Sequence, residues 1–171
     1  GYADNPDIRI PLPSQLESMA DSLRKVGMSG QFDKLKNRMN RAAEKAAAEA
    51  APVFVNAISD MTFADAREIL EGGKTAATDY LRQETSDELR NRYRPIVEEK
   101  LESVGVVKLY RSLYDRYQQI PLAPSVEFTP KEYATDRALD GLFKLLAREE
   151  QRIRENPAAR TTELLQQVFG G

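Results

Sequence analysis

The sequence predicts an all-α protein: a single-domain helical bundle with kinked long helices and an extended N-terminal arm. Three observations carry this. Apolar residues recur at the helical period through nearly the whole chain. Ser or Thr followed three residues later by Asp or Glu marks several helix starts, and glycines mark the stops. The 171 residues, 41% hydrophobic and 30% charged, suit a water-facing chain with one sizeable core. Residues 1–171 read as one domain, with 1–13 as the arm and 14–171 helical.

In the arm, Ile8, Ile10 and Leu12 alternate with polar residues or proline between Pro6 and Pro13, which favours an extended course over the bundle. The first helix is expected to open with a capping box at Ser14 and Glu17 and to close near Gly27, with Leu16, Met19, Ala20 and Leu23 inward. A second stripe runs through Phe32, Leu35, Met39, Ala42, Ala43, Ala46, Val53, Phe54 and Ile58. It keeps its phase across Pro52, so one long helix kinked at the proline is expected. The run AAEKAAAEAA should give that helix a flat surface for close approach.

Thr62 and Asp65 start a short helix that Gly72-Gly73 ends. The pattern then predicts a helix over 74–83 and a separate one capped by Thr85 and Glu88, carrying Leu89, Tyr93, Ile96, Val97 and Leu101 past Pro95. Gly105 breaks it. Val106, Tyr110, Leu113, Tyr114 and Tyr117 form the next stripe. Thr129-Pro130-Lys131-Glu132 reads as N-cap, proline at the first helical position and reaching glutamate, opening a helix to Glu155 with Leu139, Leu142, Phe143, Leu146 and Ile153 inward. Asn156-Pro157 restarts a last helix with Leu164, Leu165, Val168 and Phe169.

Histidine and cysteine are both absent. That removes Ser-His-Asp and Cys-His nucleophiles, thiol redox chemistry, the ordinary zinc and copper ligands and any switch near pH 6.5. No cofactor and no metal site is implied. The net charge of −2, with the two signs interleaved along the chain, offers no field for a nucleic acid. No apolar run approaches the roughly 18 residues that span a bilayer.

Gly72-Gly73-Lys74-Thr75 imitates a phosphate loop but has Glu68 where the first glycine belongs and a helix where the strand belongs. What survives is a glycine pair opening onto a helix N-terminus, able to present N–H groups to an anion. The speculative ligand-binding set is Gly72, Gly73, Thr75, Thr78, Arg82 and Arg160. A plain helix cap is the commoner use of such glycines. Asp136 to Gly141 fails as a calcium loop because Ala138 takes a ligand position. Glu98, Glu99 and Glu102 suit a solvated helix face. Glu149 and Glu150 interrupt the apolar stripe between Leu146 and Ile153, either as a partly buried pair with Arg148, Arg152 or Arg154, or as ligand-facing acids. Tyr110, Tyr114 and Tyr117 read as the edge of a core, and Arg90, Arg92 and Arg94 spread around their helix.

Several strings resemble the bacterial domain-of-unknown-function 4197 family: NPDIRIPLP at 5–13, LRKVGM at 23–28, NRAAEKAA at 40–47, GGKTAATDYLR at 72–82, RPIVEEK at 94–100, ALDGLF at 138–143 and IRENPAARTTELLQQVFG at 153–170. They lie in order along essentially the whole chain. The resemblance implies a helical, periplasmic or envelope-associated protein, usually made with an export signal, in a family whose members commonly carry a further helical segment upstream. It brings no established activity. The family's recurring polar positions fall on Arg9, Arg41, Glu44, Gly72, Gly73, Thr78, Arg82 and Arg160. The expected function is a non-enzymatic module for a protein partner or a small anionic ligand, with self-association left open. The alternative is a hydrolase-type enzyme using carboxylates and tyrosines. A membrane-surface role ranks last, no helix reading as a lysine-rich face opposite bulky apolar residues.

Overall fold

The computed structural model describes residues 1–28 and 30–156. Roughly three quarters of them are helical, and no strand occurs among them. In chain order come α1 (Ser14–Arg24), α2 (Gly30–Ala47), a 3-10 turn at Ala48–Ala50, α3 (Ala51–Ser59), α4 (Phe63–Glu71), α5 (Ala76–Ser103), α6 (Val106–Gln118) and α7 (Pro130–Glu155). No described helix is long and apolar enough to cross a membrane. The expected final helix, with Leu164, Leu165, Val168 and Phe169, lies outside the described residues.

Helices α2, α5 and α7 pack on one another and carry most of the core. The alanine zone behaves as its flatness suggests: Ala42, Ala43 and Ala46 are fully buried. Small side chains let the neighbouring backbones close in, and Leu89, Tyr93, Val97 and Leu101 of α5 supply the bulk.

The arm is anchored deeply, but its course is only half extended. Residues 1–9 form two turns, with Asn5 N–H on the Gly1 carbonyl at 3.1 Å and Arg9 N–H on the Asn5 carbonyl at 2.9 Å. Only 9–13 run straight. Asp and Asn in this stretch offer turn chemistry that the alternation of isoleucines hid; the Asn5 side chain accepts the Asp7 N–H at 3.0 Å. Ile8 and Ile10 are buried and Leu12 half-buried. Ahead of them Tyr2 lies against Gly141, where a Cβ would come within 2.7 Å of the ring, and its hydroxyl donates to the Ala138 carbonyl at 2.6 Å.

Several expected boundaries move, each for a local reason. Pro13 takes the N-cap position of α1, its carbonyl receiving the Leu16 N–H at 2.9 Å. Ser14 is therefore already helical and caps nothing. At the other end Gly27 (φ +84°) closes a Schellman motif, with Met28 N–H on Leu23 and Gly27 N–H on Arg24. The capping box of Thr62 and Asp65 forms as expected. Thr129 is the N-cap of α7 with Pro130 following, but its side chain makes no cap bond. Glu132 reaches Arg94 instead, at 3.0 Å.

The helices expected over 74–83 and from Thr85 are one helix of 28 residues, α5. Thr85 is a buried member of its stripe, bonding back to the Leu81 carbonyl at 2.5 Å rather than capping. Pro95 is tolerated inside α5 because it and Asn91, whose carbonyl loses its partner, both lie on the exposed side. The trace through Pro52 is likewise continuous, passing through the 3-10 turn at Ala48–Ala50. Ala46, Ala50 and Val53 keep the buried line across it. At about 100° per residue Phe54 falls beside that line and Ile58 well off it, so Phe54 is half-buried and Ile58, expected inward, is 54% exposed. Ile153, also expected inward, is exposed near the end of α7.

Candidate functional site

The turn from α4 into α5 is a built structure. Gly72 is sterically required, since a Cβ there would sit 2.6 Å from that of Ala76. The N-terminus of α5 then presents the N–H groups of Ala77 and Thr78, as the glycine pair suggested. They already hold an anion. One carboxylate oxygen of Glu150 accepts the Ala77 N–H at 2.9 Å; the other accepts the Thr78 N–H and hydroxyl, each at 2.8 Å. Arg154 completes the cluster, donating to Glu150 at 2.9 Å and to the Ile69 carbonyl at 2.7 Å. A carboxylate four residues before an arginine on α7 thus ties together the end of α4 and the start of α5.

Of the expected ligand set, Gly72, Gly73, Thr75 and Thr78 share this turn, though Thr75 turns its hydroxyl to Asp79 at 3.0 Å. Arg82 points elsewhere: its guanidinium stacks over the Phe143 ring at 4.8 Å and lies 3.8 Å from Asp140. Arg160 is outside the described residues. The Glu150–Arg154 and Glu149–Arg152 pairs match the ion-pair reading of the two acids. What the sequence reading lacked was the role of Glu150 as a cap on a distant helix. Its one signal was a carboxylate standing inside an apolar stripe.

The titratable groups that the fold clearly displaces all move away from neutral pH. Burial pushes the Glu150 carboxyl up, but the bonds from Ala77, Thr78 and Arg154 outweigh it and hold the group below the ordinary glutamate range. Asp65 is lowered, chiefly by the Thr62 hydroxyl. Burial raises Tyr2 to about 12 and also raises Tyr93 and Tyr110. A general acid or base needs the opposite displacement, toward the working pH. No group of three or more Asp or Glu residues able to hold a metal ion occurs among the described residues.

Beside the turn, an open groove of about 440 Å³ runs between α4 and α5, lined by Asp65, Glu68, Asp79, Tyr80 and Glu84. On the far side, α4 buries none of its residues. Phe63 is 93% exposed and Leu70 79%, and Val55 and Ile58 on the preceding α3 are also exposed. The molecule therefore presents bulky apolar side chains to water on α4, with further ones on α3.

A family profile described as a protein of unknown function (DUF4197) matches residues 1–170. No curated protein and no solved structure matches the chain.

Proposed function

The chain belongs to the DUF4197 family, and from that premise we propose that it is a non-enzymatic interaction module that engages a protein partner through the exposed face of α4. The observation that carries this is α4 itself, a helix that buries none of its residues and holds Phe63 and Leu70 in solvent. Large exposed apolar side chains grouped on one element are the usual mark of a docking surface. Asp65, Glu68 and Glu71 lie on the same short helix, so the fitting partner offers an apolar pocket with a basic rim. A small anion is the poorer occupant of this protein, because its best donors, the Ala77 and Thr78 N–H groups, are bonded to Glu150.

Site-specific photocrosslinking in the source cell tests the reading. A photoreactive phenylalanine analogue at position 63 should give one discrete adduct that disappears with Leu70→Asp and weakens when Glu68 and Glu71 are made lysine. The same analogue at Lys25 should not give it. Identical adducts from both positions, or none from position 63, would overturn the proposal. The proposal also sets this module in the bacterial envelope. Recovery of the protein with a cytoplasmic marker during cell fractionation would refute that part.

A further inference from the structure

The charges that look interleaved along the sequence are sorted by the winding of α2. This helix carries five cations against two carboxylates in a chain of net charge −2. Lys34, Arg38, Arg41 and Lys45 follow one another at spacings of four, three and four residues. At 100° per residue they fall within an arc of about 60°, and they span about 16 Å along the axis. Lys34, Arg41 and Lys45 are exposed and form no ion pair among the described residues. Arg38 is half-buried, its guanidinium fixed at 3.0 Å on the Gly105 carbonyl. The nearest carboxylate on the helix, Glu44, turns toward Gly1, where even a Cβ would collide with it. Phe32, Leu35 and Met39 hold the opposite face in the core.

We propose that this crest of α2 is an electrostatic docking surface for a phospholipid bilayer rich in anionic headgroups. Two features favour a headgroup plane over an acidic protein. The cations fall in line along one exposed face of α2, so a flat surface can meet them together. The ridge and its flanks (Gln31, Asn37, Glu44, Ala48, Glu49) hold no bulky apolar residue, whereas a protein interface depends on such anchors. A plane of lipid charges needs none, because each Lys or Arg near it adds its own increment, about fivefold in partition. The apolar face is spent in the core, so the contact is peripheral. The surface is independent of α4 and stands or falls separately from it.

Vesicle flotation decides the matter. The protein should float with vesicles containing phosphatidylglycerol, not with pure phosphatidylcholine, and should release as salt rises. Replacing Lys34, Arg41 and Lys45 by glutamine should weaken binding on the order of a hundredfold, three increments of about fivefold. A control with Lys25, Arg67 and Lys74 made glutamine changes net charge equally and should keep most of the binding. Circular dichroism melts should show both variants folded, since all six side chains are exposed. Absence of flotation with anionic vesicles, salt-independent flotation, or equal loss in both variants would overturn the proposal. So would capture by immobilised polyglutamate without vesicle binding, which would make the partner an acidic polypeptide.

Discussion

Asn40 pairs with Ile10 as though its side chain were a neighbouring β-strand. Its carbonyl oxygen accepts the Ile10 N–H at 2.8 Å, and its amide donates to the Ile10 carbonyl at 2.9 Å and to Lys36 at 2.8 Å. The residue is fully buried. One polar side chain in the middle of α2 therefore satisfies the arm where it crosses the core and fixes its register, which apolar contacts from Ile8 and Ile10 alone would leave free to slide.

Replacing Asn40 by alanine strands a buried N–H and a buried C=O. The expected loss is about 2–6 kcal/mol, at about 1–3 kcal/mol for each of the two unsatisfied groups. Urea unfolding measures it, and trypsin should cut after Arg9 much faster in the variant. A loss under about 0.5 kcal/mol, the range of neutral surface changes, would show that the arm is held by its isoleucines alone.

Glu150 should give the protein acid sensitivity. Its folded pKa lies below the ordinary value of 4.5, so its contribution is complete above that value and is lost as pH falls through the folded pKa. Between neutral pH and pH 3, Glu150→Gln should therefore flatten the fall in melting temperature. At pH 7 it should be less stable than the parent, having given up a charged cap on α5. Parallel pH profiles for the two proteins would contradict the geometry.

The buried line of Ala46, Ala50 and Val53 leaves Phe54 at its edge and Ile58 outside it, which makes a graded prediction. Phe54 is half-buried, its ring edge-on to Phe143 at 5.9 Å. Phe54→Ala should cost about 1–3 kcal/mol, less than the 3–5 typical of a fully buried ring. Ile58→Ala should cost under about 0.5 kcal/mol. Equal and large losses at both positions would put both side chains in the core and contradict this placement.

Leu122 stands alone among the described non-glycine residues with a positive φ, +61°, and is fully exposed in the loop before α7. A left-handed conformation costs an ordinary residue about 1–2 kcal/mol. Leu122→Asn, which tolerates it better, should raise the melting temperature by about 1–3 °C. A lower melting temperature would mean that the leucine makes contacts the loop depends on.

Most of the fold was legible because helical period and caps are local signals. Thr62 with Asp65, Gly27 and Gly105 announce their boundaries within four residues. The errors arose where a distant residue overrides the local one: Arg94 draws Glu132 away from its cap, and the buried stripe of α5 absorbs Thr85. The α4–α5 turn was found from its glycines, yet its occupant lies more than seventy residues away and no local pattern names it. The crest of α2 was readable in principle from the spacing 34, 38, 41, 45. Counting signs along the chain concealed it; projecting them on a helix reveals it.

The seating of Tyr2 on Gly141 has a bearing on the order in which the molecule assembles. A ribosome delivers residues 1–13 long before α7, so the part of the groove that α7 supplies is absent while most of the chain is being made. Tyr2 must wait, exposed, until α7 has packed, and closing that long loop is among the slowest contacts to form. The seating of Tyr2 is thus a late fastening. Until it closes, the helices behind it are held without the hydrogen bond at Ala138, and the incompletely assembled chain offers apolar surface to whatever meets it first.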